Sequence, residues 1–157
     1  MNRVIGLISD THGLLRPEVH TALSGVELIL HAGDVGGDEI LQELALIAPV
    51  RAVAGNCDDP FSSGLRPALD FDIDGVSVHI SHGHEVGVPS PALLLGTYTA
   101  DVIIYGHTHK SRVERHGARL VINPGAAGPR RFSLRPTVGR LTLTDGQHDV
   151  SIIELEA

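Results

Sequence analysis

A chain of 157 residues, 42% hydrophobic and 20% charged, has the length and balance of one globular domain, so residues 1–157 are expected to share one continuous core. Its 12 basic and 19 acidic residues leave a formal charge of -7, which disfavours a nucleic-acid binder built on a basic stripe. No apolar run approaches the roughly 20 residues that cross a bilayer, which argues against a membrane anchor or membrane partner.

Val4 to Ile8 is a short apolar run followed by SDTHG and RPEVHTALSG, where Pro17 suits a first helical turn and Gly25 a helix stop. Asp10 and His12 interrupt that run too early for a secretory signal, so the expected location is the cytoplasm. Glu27 to Leu30 reads as a second strand and Asp38 to Ile47 as a helix with Ile40, Leu41, Leu44 and Ile47 on one face. Val50 to Val53 reads as a third strand. This alternation predicts a parallel sheet covered on both faces. FSSGLRPALD is a turn-rich connector without a strong pattern, and Phe71 to Ile80 contains a hairpin turning at Asp74-Gly75. A helix over Pro91 to Tyr98 and a strand over Val102 to Tyr105 follow. From Ser111 onward, turns at His116-Gly117 and Asp145-Gly146 predict an antiparallel C-terminal third.

Each apolar run of the central sheet leads into metal-competent residues. VIGLI precedes Asp10 and His12; LIL precedes His31 and Asp34; VRAV precedes Asn56, Cys57 and Asp58; VSVHI precedes His82 and His84; VIIY precedes His107 and His109. In open α/β sheets the loops beyond the carboxyl ends of the strands line one crevice, so these residues should converge. Any one of these histidines alone is more often an ordinary polar residue than a ligand. Their repetition at successive strand ends is hard to explain by packing, which would favour apolar residues or plain turn formers there.

Asp10, Asp34, Asn56, His12, His82, His107 and His109 make a mixed oxygen and nitrogen donor set without thiolate. Such a set suits Mn, Fe, Ni, Co or Zn better than Ca or Mg. Seven donors exceed one tetrahedral site and fit two ions sharing a carboxylate. Two divalent ions against two carboxylates would create an electropositive pocket in an acidic protein, suited to a phosphate ester.

In order along the chain, DTH, GD, GNCD, SHGH and GHTH resemble the blocks of the calcineurin-like metallophosphoesterase superfamily. The GNCD variant, HGH and the INPG stretch (Ile122 to Gly125) look most like its small bacterial and archaeal phosphodiesterases of the YfcE type. The resemblance implies an α/β fold of the metallophosphoesterase type. That is a β-sandwich of two mixed sheets flanked by helices, with its active site at the C-terminal ends of strands and the C-terminal hairpins supplying much of the second sheet. It also implies a first metal on Asp10, His12, Asp34 and His109, and a second on Asp34, Asn56, His82 and His107. Asp34 would bridge, and a hydroxide between the ions would attack phosphorus. Two divalent transition-metal ions, Mn foremost, are the expected cofactors, a small-molecule phosphodiester the expected substrate, and homo-oligomerisation a family-level expectation.

Asp34, Asn56 and His84 are the candidate catalytic residues, His84 either contacting substrate or orienting His82. Asp58 is either a similar support or an exposed loop carboxylate, and His31 reads as a packed or supporting histidine. His20, His79, His116 and His148 have no motif support. Arg130 and Arg131, after NPGAAGPRR, either meet a substrate anion or form a solvated turn. Cys57, the only cysteine, stands where many superfamily members carry a histidine assigned to leaving-group protonation or transition-state stabilisation. A thiol that nearby metals would deprotonate is a poor proton donor, so diesters with good leaving groups are favoured over alkyl monoesters. A covalent cysteine mechanism fits badly, because Asp58 and Asp59 would repel both thiolate and phosphate. The alternatives are a phosphomonoesterase of the same superfamily and a noncatalytic scaffold of the Vps29 type.

Overall fold

The computed structural model describes residues 2–131 and 133–155, with every side chain among them except that of Pro60. Ten strands form two five-stranded sheets. The chain begins with β1 (Asn2–Ile8), α1 (Glu18–Ala22), β2 (Leu28–His31), α2 (Asp38–Leu44) and β3 (Val50–Ala52). Strands β1, β2 and β3 are parallel neighbours, as their alternation with helices leads one to expect. α3 (Pro60–Ser63) then leads to the hairpin β4 (Ala68–Ile73) and β5 (Val76–Ser81), which turns at Asp74-Gly75 as expected. A 3₁₀ turn over His84–Val86, α4 (Pro91–Thr97) and β6 (Val102–Ile104) follow. The hairpins β7 (Arg112–His116) with β8 (Arg119–Asn123), and β9 (Thr137–Thr144) with β10 (Gln147–Glu154), complete the chain.

The sheet orders are β10-β9-β1-β2-β3 and β4-β5-β6-β8-β7, each containing parallel and antiparallel pairs. Three sequence expectations change. The parallel strands are not covered by helices on both faces: one face meets α1 and α2, and the other meets the second sheet. The C-terminal third is not wholly antiparallel, because β8 pairs parallel with β6 after a long crossover. The two C-terminal hairpins also separate, β7-β8 joining the second sheet and β9-β10 extending the first, where β9 runs antiparallel to β1. The 61–70 connector holds most of α3 and the start of β4. α2 ends at Leu44, because the chain tightens into i→i+3 bonds such as Leu46 N–H to the Glu43 carbonyl.

The central strands are apolar on both faces because both faces are buried. Ile5, Leu7 and Leu30 of the first sheet, with Val53 just beyond β3, pack against Val78, Ile80, Val102, Ile104, Leu120 and Ile122 of the second. The other face of the first sheet offers Ile8, Ile29 and Val138 to Val19, Leu23, Ile40 and Leu44 on or beside the helices. Leu94 of α4 covers Ile103 and Val121 outside the second sheet. α4 starts cleanly: the Ser90 hydroxyl accepts from the Leu93 N–H at 3.2 Å and Pro91 occupies the first turn. The result is helix, sheet, sheet, helix, with β1, β2, β3, β5 and β6 all ending at the same edge of the sandwich.

Candidate metal centre

The residues after β1, β2 and β6 are aimed by unusual backbone. Among the described residues, seven non-glycines have positive φ: Asp10, His12, Asp34, His107 and His109, plus Asp74 and Asp145 at hairpin turns. A left-handed conformation at a histidine or aspartate costs of order 1 kcal/mol or more and persists only where surrounding bonds enforce it. Here Asp10 N–H donates to the Gly33 carbonyl and His12 N–H to the Asp34 carbonyl, both at 2.9 Å, lacing the first loop to the second. Two glycines permit the close approach. A Cβ on Gly55 would collide with the Asp34 carboxylate, and one on Gly106 with the Ser9 hydroxyl and the Asp10 carboxylate.

Asp10 is fully buried. Its Oδ2 accepts from the Ser9 hydroxyl at 2.6 Å and the His107 N–H at 3.1 Å, while its Oδ1 has no hydrogen-bond partner. That orphaned oxygen faces three imidazole nitrogens: His109 Nε2 at 3.4 Å, His12 Nε2 at 3.6 Å and His82 Nε2 at 3.7 Å. Asp34 Oδ2 lies 3.2 Å from His82 Nε2 and 3.6 Å from His12 Nε2, and the Nε2 atoms of His12 and His109 are 3.3 Å apart. Donors sharing an ion at roughly 2.0–2.2 Å stand about this far from one another.

The tautomer of His82 sharpens the point. Its Nδ1 lies 2.9 Å from the Ala32 carbonyl, so Nδ1 carries the proton and Nε2 presents a lone pair. That lone pair is buried, unpartnered and directed at two carboxylates, an arrangement that requires a proton or a cation between them. The ionisation equilibria agree. Burial opposes the charge on Asp10, but the facing imidazoles of His109 and His12 outweigh it and hold the carboxyl far below its ordinary range. Asp34 is likewise lowered against burial, chiefly by His82 and the Cys57 N–H. His12 is raised, mainly by the facing Asp10 carboxylate, and His82 is raised despite burial by Asp34 and Asp10. The residues therefore fit a divalent cation, which would compete with protons for the same lone pairs.

Three-donor groups form from Asp10, His12 and His109, from Asp10, Asp34 and His82, and from His12, Asp34 and Cys57. Among the described residues His107 joins none of these groups. The exposed Asn56 amide donates towards the Cys57 sulfur at 3.7 Å, and the His107 ring stands edge-on to His82 at 5.2 Å between centroids. His84 lies 5.3 Å from His82 and 6.2 Å from His107, with its Nδ1 buried and unpartnered. Cys57 is exposed, its N–H donates to Asp34 Oδ1 at 2.8 Å, and its thiol is pushed up by desolvation and then by the Asp34 charge.

Two residues with open readings resolve as braces. Asp58 accepts N–H bonds from Val35 at 3.1 Å, Gly36 at 3.1 Å and Gly55 at 2.9 Å, tying the Asp34 loop to the Asn56 loop. His31 is fully buried, and its Nδ1 accepts from the Gly33 N–H at 3.1 Å, so Nε2 carries the proton and donates to Thr11 Oγ1 at 3.0 Å. The Thr11 hydroxyl passes the chain on to the Val35 carbonyl at 2.7 Å. Sequence reasoning did not single out three further supports. Ser9 fixes Asp10. Asn123 donates to the Gly106 carbonyl at 3.2 Å and to Thr108 Oγ1 at 2.9 Å, holding the GHTH loop, and the INPG stretch was its only signal. Glu85 accepts from the Gly83 N–H at 2.9 Å and the Tyr98 hydroxyl at 2.6 Å, fixing the loop of His82 and His84.

A larger recess of about 670 Å³ beside Arg115 and His148 lies at the other end of the strands, away from these residues.

Compared with known proteins, the chain matches the calcineurin-like phosphoesterase superfamily domain over residues 4–146. It is 39% identical over 147 residues to a probable metallophosphoesterase of Methanothermobacter thermautotrophicus, covering 88% of this chain and 80% of the relative. A phosphodiesterase of Methanocaldococcus jannaschii is 31% identical over 168 residues, covering 96% of this chain and 99% of the relative. Among solved structures, vacuolar protein sorting 29 of Cryptosporidium parvum superposes with a TM-score of 0.79 at 23% identity, covering 98% and 97% of the two chains. That last likeness speaks for the fold alone.

Proposed function

The chain belongs to the calcineurin-like phosphoesterase superfamily, and on that premise we propose that it is a dinuclear metal-dependent phosphodiesterase acting on small diesters. The observation that carries this reading is the buried, unpartnered pair of His82 Nε2 and Asp10 Oδ1 facing each other and Asp34. In it, Asp10, His12, Asp34 and His109 hold a first ion, and Asp34, Asn56, His82 and His107 a second, Asn56 joining by rotation of an exposed side chain. Two divalent ions, Mn foremost, supply when bound a water deprotonated at neutral pH and the positive charge that clamps the phosphoryl oxygens.

The chain's own residues do the rest. Asp10 and Asp34 stay anionic over the working pH range and so would offset two of four positive charges, and a hydroxide a third, leaving a net positive charge for substrate. The Ala32 carbonyl holds the ring of His82 in register, and Glu85 with Tyr98 fixes the loop that presents His84 to the substrate. Cys57 stands where a histidine would donate a proton to the leaving group. Raised above its ordinary value in this geometry, the thiol is ill-suited to the thiolate role of a nucleophile, and in either state it matches an alkoxide's proton demand poorly. Substrates with good leaving groups are therefore preferred. The same reading takes residues 1–157 as one domain working in the cytoplasm.

The test is hydrolysis of bis(p-nitrophenyl) phosphate beside p-nitrophenyl phosphate with added Mn, coupled to metal analysis. Turnover of the diester with weak monoesterase activity is expected, and a strong preference for the monoester would overturn the reading. Tight loading without turnover of any phosphoester would favour a scaffold instead.

A further inference from the structure

Beside the candidate metal centre lies an open cleft of about 480 Å³, walled by Pro89, Tyr105 and Leu134 and carrying Thr108, Lys110 and Arg112. Its position is set by the ligand loops. Thr108 separates His107 from His109. Pro89 and Tyr105 pack over Gly83, which separates His82 from His84, so closely that a Cβ on Gly83 would stand 3.1 Å from Pro89. The cleft therefore opens alongside both histidine loops. Thr108 is held there by Asn123, and its hydroxyl also accepts from the Lys110 N–H at 3.4 Å.

Charge distinguishes this region from the rest of the molecule. Leu134 also walls a smaller adjoining recess bordered by His109 and by Arg130, Arg131 and Arg135. Five of the chain's 12 basic residues thus border two adjoining hollows whose described linings contain no carboxylate, in a protein of net charge -7. Arg135 is paired with Glu154 at 3.2 Å and Arg112 with Glu114 at 3.5 Å, both exposed pairs of small worth that an incoming anion can replace. Lys110 and Arg112 are exposed and lie in the segment leaving His109, Lys110 at a bend and Arg112 at the start of β7.

We infer that the cleft of Lys110 and Arg112 is a second anion site, which selects phosphodiesters carrying a further phosphate on the group attached to the scissile phosphorus. The inference rests on the phosphodiesterase reading. The scissile phosphate sits against the ligand loops, and the second phosphate reaches Lys110 and Arg112, with Thr108 as a hydroxyl donor. Tyr105, Pro89 and Leu134 supply an apolar wall for the connecting sugar or ring. Chemically this is a nucleotide-type diester, not an isolated aryl diester.

Three probes separate the ideas: bis(p-nitrophenyl) phosphate, thymidine 5′-(p-nitrophenyl phosphate), and the same nucleotide ester bearing a 3′-phosphate. In the two nucleotide esters water adds across the same P–O bond and releases the same p-nitrophenolate, so only the extra phosphate differs. The Mn-loaded protein should favour the 3′-phosphorylated ester by about tenfold in kcat/KM, mostly through KM, and Lys110→Ala with Arg112→Ala should bring the ratio close to one. Calorimetric binding of thymidine 3′,5′-bisphosphate against thymidine 5′-monophosphate should show the same preference and the same loss in the double variant. Equal handling of the two nucleotide esters, or a preference indifferent to Lys110 and Arg112, would overturn the inference while leaving the phosphodiesterase reading intact. If none of the three diesters is hydrolysed, the phosphodiesterase reading fails, and the bisphosphate binding ratio alone decides whether the cleft selects a second phosphate.

Discussion

His31 should impose a pH dependence on stability that one substitution can isolate. The ring is fully buried between the loops of Asp10 and Asp34, accepting from the Gly33 N–H and donating to Thr11 Oγ1. A second proton would have to go on Nδ1, where it would confront the Gly33 N–H. Burial accordingly lowers the imidazole from 6.5 to about 4. Because the folded value is depressed, the unfolded chain binds the proton more readily. The contribution is then complete above about pH 6.5 and is lost as pH falls from there towards 4. Over the whole window that displacement corresponds to roughly 3 kcal/mol, and between pH 7.5 and 5.5 to about 1.3 kcal/mol. Other groups titrate in the same range, His12 and His82 with the opposite sign because both are raised. A difference measurement reduces their contribution. His31→Asn keeps an acceptor near the Gly33 N–H, removes the titrating ring, and leaves a gap beside Thr11. With metal removed by chelator, urea unfolding at pH 7.5 should find the wild type more stable by about 1–3 kcal/mol. At pH 5.5 the gap should have narrowed by about 1.3 kcal/mol. A gap independent of pH, or one that widens in acid, would refute the reasoning.

Asp58→Ala removes the shared acceptor of three N–H groups and should cost about 2–3 kcal/mol in urea unfolding, with metal affinity reduced because the Asp34 and Asn56 loops lose their tie. Divalent-metal affinity should fall on acidification, by about tenfold or more per pH unit below the raised values of His12 and His82. Calorimetry in buffers of different ionisation enthalpy should then record proton release on binding. Cys57→His should raise monoesterase relative to diesterase activity with Mn present, and an unchanged ratio would count against the leaving-group argument. Gly55→Ala should abolish tight loading, because its methyl group would occupy space filled by the Asp34 carboxylate; near-normal affinity would show that the loop has room to give.

Much of this was readable before any coordinates, because the informative residues are local. The turns at Asp74-Gly75 and Asp145-Gly146 announce themselves by composition and fall in hairpins, while the turn expected at His116-Gly117 forms one residue later, at Gly117-Ala118, because His116 still pairs with Arg119. The strand ends were visible as apolar runs that stop at aspartate or histidine. What escaped depends on distant partners. The start of strand β4, Ala68 to Asp70, hides in FSSGLRPALD because Pro67 before it and the outward Asp70 dilute the apolar signal. The parallel pairing of β8 with β6 is fixed by which edge the β5-β6 unit leaves open, a property of no single segment. Asp58 resembles any loop carboxylate until the N–H groups of Val35, Gly36 and Gly55 are brought to it. Asn56 could be read as a ligand by type, but its rotamer follows from its exposure and from Cys57 beside it.

Asp10, His12 and Asp34 follow strands of the first sheet, whereas His82, His107 and His109 follow strands of the second. A cation gripped by that ring would act as a rivet through both layers. Sliding one layer over the other by an ångström would ruin the coordination sphere, and an unfolding intermediate with undocked layers would have no coordination sphere to offer. Loading would therefore strengthen the seam between the sheets more than either sheet alone, and chelation would reveal itself first as a loosening of that seam.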